Sequence, residues 1–111
     1  MDRSQLLRGA LDAAVLAVTS EDDAYGYDVL RRLRSAGLAE VGDASVYGTL
    51  RRLYTAGALT SYMVPSEEGP ARRYYGITDR GRRQLTEARA VWQEFSQALG
   101  GLLDEKVEAR T

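Results

Sequence analysis

The sequence contains no cysteine and no histidine. The first absence excludes disulfides and cysteine-ligated metal sites. The second removes the commonest general base and the commonest zinc ligand. No phosphate-binding glycine loop and no paired-carboxylate pocket stands out, so the chain is expected not to be an enzyme and to need no cofactor or metal. Long apolar runs are also missing. The longest near the N-terminus is residues 13–18, far short of a membrane span. Arg8 and Asp12 interrupt any signal-peptide core, so a cytoplasmic location without membrane contact is expected. Lysine is nearly absent too: Lys106 is the single lysine among 15 basic residues. The arginine preference suits bidentate phosphate contacts, and codon bias would produce it equally well.

What is present is an ordinary soluble composition, 44% hydrophobic and 28% charged over 111 residues. That length supports one compact domain with a limited core, which favours oligomerisation. The net charge of −1 hides an uneven distribution. Residues 31–83 carry ten arginines against five acids, whereas residues 1–30 are net −4 and residues 84–111 net −2. A basic middle between acidic ends is either a nucleic-acid footprint or chance clustering on a solvated surface.

Hydrophobic spacing predicts a helix over residues 5–18 with two apolar faces. Leu7, Leu11, Val15 and Val18 make one; Leu6, Ala10, Ala13 and Ala17 make the other. The second face needs a partner subunit, a ligand or the domain's own core to cover it. Residues 21–24 read as a polar turn. A second helix over residues 25–36 points Leu30 and Leu33 inward and ends at Gly37. A third, over residues 43–54, has Asp43 as N-cap, Val46, Leu50 and Leu53 as its core face, and Gly57 beyond its end. Residues 59–64 and 72–77 read as a hairpin around a turn rich in Pro, Gly and acid. Thr78 caps a long last helix that runs to about residue 99 or beyond.

Three helices, a hairpin and a helix make the winged helix-turn-helix plan. The expected class is mainly α with a small β-hairpin and a long C-terminal dimerisation helix. Residues 1–78 form the winged domain and residues 79–111 the last helix, in one compact unit. In this plan the third helix is the DNA reader. Ser45, Tyr47, Gly48, Thr49, Arg51 and Arg52 are its candidate contacts, with Arg72 and Arg73 on the wing. Each arginine could instead be plain solvated surface, and Arg52 could pair with an acid inside the domain. Glu67 and Glu68 at the wing tip oppose deep insertion between phosphates. On the last helix Leu85, Ala88, Trp92, Phe95, Leu99 and Leu102 are spaced 3, 4, 3, 4, 3, an a/d seam suited to pairing with a second copy or to packing on its own domain. Trp92, the single tryptophan, is either dimer core or a stacking wall for a flat ligand.

These residues together resemble the PadR family of bacterial transcriptional regulators. The stretches that carry the likeness are Tyr25-Gly26-Tyr27-Asp28-Val29-Leu30, then Ser45-Val46-Tyr47-Gly48-Thr49-Leu50-Arg51-Arg52-Leu53 with Gly57 and Leu59, then Arg72-Arg73-Tyr74-Tyr75-Gly76-Ile77-Thr78 with Gly81. The likeness spans nearly the whole chain. It departs at Gly48, where many members have proline, which bears on operator preference and not on the fold. The single last helix resembles the short subfamily, in which the terminal helices build a homodimer. Some members there bind flat, hydrophobic, often cationic drugs between two facing tryptophans. Trp92, fourteen residues after Thr78, matches that tryptophan. The resemblance therefore implies a ligand-responsive repressor on a palindromic double-stranded operator, with a possible planar hydrophobic effector. It makes Leu6, Ala10, Ala13, Trp92, Phe95 and Ser96 candidate pocket residues. The alternative from another class is a winged-helix protein-interaction adaptor that never reads DNA.

Overall fold

In the computed structural model residues 2–108 are described, with side chains through Asp104. The element order is α1 (Arg3–Glu21), β1 (Ala24–Tyr25), α2 (Gly26–Ser35), α3 (Asp43–Thr55), β2 (Leu59–Val64), β3 (Arg72–Ile77) and α4 (Asp79–Glu108). The expected architecture is present, with one addition. The hairpin gains a third strand, β1, giving an antiparallel sheet in the order β1-β3-β2. Ala24 pairs with Tyr75 and Tyr25 with Tyr74, while β2 and β3 run in register from Leu59↔Ile77 to Val64↔Arg72. Of the residues expected as a turn before α2, Glu21 ends α1 and Ala24 begins this short strand, while Asp22 and Asp23 make the connection.

The helix ends have local causes. The Asp2 side chain accepts a hydrogen bond from the Ser4 N–H at 2.9 Å and caps α1. Both α2 and α3 close with the same paired motif. Leu38 N–H donates to Leu33 and Gly37 N–H to Arg34; Ala58 N–H donates to Leu53 and Gly57 N–H to Tyr54. Gly37 and Gly57 sit at φ 111° and 84°, the left-handed region such an ending requires. Thr78 caps α4 as expected: its hydroxyl accepts from Gly81 N–H at 3.1 Å and donates to the Gly57 carbonyl at 2.7 Å. Asp43 does not cap α3. Gly42 occupies that position, and Asp43, in the first turn, favours the positive end of the helix dipole.

The core is one cluster. Val15 and Leu16 from α1, Val29, Leu30 and Leu33 from α2, Val46, Leu50 and Leu53 from α3, and Leu59 from β2 are all buried. Tyr75 and Ile77 pack against it from β3, while Arg73 is exposed. From α4 the core receives Leu85, 6% exposed. The proximal end of the expected seam therefore belongs to this chain's own interior, which removes Leu85 from the residues available to a second copy. Beyond it α4 projects. The radius of gyration is 16.8 Å, against about 13 Å for a compact chain of this length.

Candidate nucleic-acid interface and the cavities beside Trp92

The buried side of α3 determines what its other sides present. Val46, Thr49, Leu50 and Leu53 face the core. At about 100° per residue, Ala44, Gly48, Arg51 and Thr55 fall on the opposite side. Tyr47 and Tyr54 lie on one flank, Ser45 and Arg52 on the other. The outward strip is built of small residues around one long cation. Nothing lies within 4 Å of where a Gly48 side chain would begin, so no contact inside the chain requires glycine there. Among the described residues no acid pairs with Arg51.

Two of the expected contacts are placed differently. Thr49 is 5% exposed and faces the core, so its side chain is turned away from any groove. Its spacing of three from Val46 is the cause. Arg52 is engaged within the chain: Nη1 and Nη2 donate to the two carboxylate oxygens of Asp12 on α1, at 2.8 and 2.7 Å. This is the acid pairing that sequence left open. The guanidinium holds the Asp12 carboxyl below the usual carboxylate range.

On the other flank, Tyr47 packs its ring against Gly26 at the start of α2, and any side chain at Gly26 would collide with that ring. This explains the glycine between Tyr25 and Tyr27. The same two helices and the base of the wing enclose a cleft of about 270 Å³ lined by Tyr25, Tyr27, Tyr47, Arg72, Arg73 and Tyr75. The Arg72 guanidinium sits over the Tyr25 ring, 4.6 Å from its centre, and Arg73 donates to the Ser61 hydroxyl at 2.8 Å. Tyr27, exposed at this cleft, was not singled out from sequence. Ala44 and Thr55 were not either, although periodicity alone places them outward.

The turn before α3 is gripped by two arginines. Arg34 donates through Nε and Nη2 to the Val41 carbonyl, at 3.2 and 3.0 Å, and through Nη2 to Asp43 at 3.2 Å. Arg3 donates to the Gly37 carbonyl at 3.0 Å and pairs with Glu40 at 3.2 Å. The approach of α3 is therefore set by contacts to two backbone carbonyls, of Gly37 and Val41, and to the carboxylates of Glu40 and Asp43.

The second candidate region lies between α1 and α4. One cleft of about 310 Å³ is lined by Ala10, Ala13, Ala17, Ala88 and Trp92 among others. A neighbouring one of about 210 Å³ is lined by Arg3, Leu6, Ala10, Leu38, Glu40 and Trp92. Trp92 and Ala10 line both. Leu6, Ala10, Ala13 and Trp92 are thus brought together. Phe95 lies one turn further, its ring centre 6.1 Å from that of Trp92, and the Ser96 hydroxyl bonds back to the Gln93 carbonyl, so neither lines these clefts. Trp92 is 52% exposed, Phe95 53% and Leu102 64%, with Val91, Leu99 and Leu103 also exposed. Among the described residues no group of acids is placed to hold a metal, and no helix is long and apolar enough to cross a membrane.

Comparison with known proteins agrees with this geometry. A PadR-like transcriptional regulator from Bacillus cereus superposes with a TM-score of 0.80 at 33% identity, covering 89% of this chain and 96% of that one. A transcriptional regulator of Mycobacterium tuberculosis is 33% identical over 95 residues, 85% of this chain and 87% of that protein. The Bacillus subtilis PadR protein, crystallised with operator DNA, shares the fold at 20% identity, with a TM-score of 0.63 over 69% of this chain and 45% of that one. The model of the transcriptional regulator PadR-like family matches residues 15–87, and the chain belongs to that family.

Proposed function

We propose that the chain is a DNA-binding transcriptional repressor that acts as a homodimer and responds to a small molecule. The observation that carries the DNA reading is the outward strip of α3. Ala44 and Gly48 let the helix backbone approach base edges closely, and Arg51 has the reach and the donor fork for guanine or phosphate. Ser45 and Tyr47 flank the strip, and Arg72 and Arg73 supply backbone contacts beside it. The operator complex of the Bacillus subtilis relative supports the same reading. Fluorescence anisotropy with DNA from upstream of the chain's own gene tests it. Affinity should fall steeply with salt, and Arg51→Ala should weaken binding by about 1–3 kcal/mol. Salt-independent binding, or an Arg51→Ala variant identical to the parent, would refute it.

The homodimer rests on the exposed apolar stripe of α4, a contiguous patch of the kind that marks an association surface. A twofold dimer would place two α3 helices about 34–36 Å apart and so demand a palindromic operator. The ligand reading rests on Trp92 lining two clefts that a second copy would roof over. A flat apolar molecule stacking there should quench Trp92 fluorescence saturably, at about one ligand per dimer. Quenching that never saturates across planar dyes would leave Trp92 as association surface alone.

A further inference from the structure

Arg52 stands apart from the other cations of the interface. It lies on the α1-facing flank of the reading helix, about 70° round from the outward strip. A helix seated in the major groove has a phosphate strand on either side. Arg72 and Arg73 serve the wing side, and Arg52 is the α3 cation on the other. It borders a groove of about 610 Å³, walled by Ser4, Arg8 and Asp12 of α1 and by Ser45, Gly48 and Arg52 of α3. Apart from Arg52, the α3 side of that groove carries only the small residues Ala44, Ser45, Gly48 and Thr49. Its acids are Asp12 and Glu40, and Glu40 pairs with Arg3.

The fork of a guanidinium fits a carboxylate and a phosphate equally well. The Asp12–Arg52 pair is open to solvent, with side chains 39% and 59% exposed, so it is weakly held and exchangeable. Arg8 lies one helical turn before Asp12 on α1, in the same groove, where it can take over the carboxylate if Arg52 leaves. We propose that Asp12 stands in for a DNA phosphate: it holds Arg52 in the free protein and yields it to the operator backbone when α3 docks. The inference rests on the DNA-binding reading above. Its effect is to mask one positive charge of the reading helix until a phosphate is presented in the right place. That lowers affinity for DNA in general and makes Arg52 contribute only when the helix is seated.

Anisotropy titrations across a salt series decide the matter, using the upstream duplex and a random duplex of equal length. Asp12→Asn should tighten both by about two- to fivefold, because the competitor is gone. Arg52→Gln should weaken the upstream duplex more than the random one and flatten the slope of log affinity against log salt on the upstream duplex by about 0.9, the loss of one phosphate contact. The double variant should behave as Arg52→Gln. Weaker binding by Asp12→Asn, repeated with Asp12→Ser in protein of unchanged circular dichroism, would show a fixed strut and overturn the exchange. An unchanged salt slope in Arg52→Gln would overturn it too. Arg51→Ala run in parallel separates the two failures. If Arg51→Ala weakens binding while the Arg52 slope is unchanged, the exchange alone is wrong; if the parent itself binds neither duplex, the DNA reading falls with it.

Discussion

The proximal and distal parts of α4 share one hydrophobic repeat and meet opposite surroundings. Leu85 is buried against the chain's own core, whereas Trp92, Phe95, Leu99 and Leu102 continue the same seam into solvent. The difference shows what an a/d pattern means. It states that one side of a helix is to be covered, and it does not say by what. The cover changes where the body of the domain ends, about two turns after Leu85, and no residue in the pattern marks that place.

Four experiments would break or sharpen this contrast. The largest effect is expected at the proximal end. Leu85→Ala should cost about 2–5 kcal/mol of folding stability, read from urea unfolding, because the cavity lies in a packed core. The distal end should respond in assembly. Phe95→Glu should raise a dimer dissociation constant at least about thirtyfold in sedimentation equilibrium while leaving the helical signal intact. A monomeric parent, or a variant that unfolds, would erase the distinction. Gly48→Ala tests a surface that is neither core nor seam. With open space around the new methyl group, stability should rise by about 1 kcal/mol. DNA affinity should fall at the same time, since the added group projects towards the groove. The smallest effect concerns Asp12. Its carboxyl is held below the ordinary value of 3.8, chiefly by hydrogen bonds from Arg52. Folding stability from the pair is therefore present above that value and lost as pH falls through the native one. Being exposed, the pair should contribute under about 1 kcal/mol. The gap in urea midpoint between parent and Asp12→Asn should be full at neutral pH and close as pH falls through and below the ordinary carboxylate range.

Much of the fold was legible because its signals are local. Gly37 and Gly57 end their helices as their positions imply, Thr78 caps α4, and Val46, Leu50 and Leu53 turn inward on a helical period. The parts that were not legible depend on distant pairings. β1 is two residues long and exists only because β3 offers its free edge to Ala24 and Tyr25. Asp12 meets Arg52 across 40 residues of sequence. The candidate site was legible in outline and less so in membership. Thr49 has a polar side chain and a core position, and its position prevails. Gly26 is required by a ring on another helix, a contact that no local pattern records.

Leu85 also has a meaning in time. Among the described residues it is the last of the buried core in chain order, so every side chain that closes the body is made before Phe95, Leu99 and Leu102. Chains are made from the N-terminus, and early units fold as they appear. The sticky stripe thus follows every residue that the interior of the body requires. An interior that closes without the stripe leaves its apolar side chains for whatever surface they meet after release.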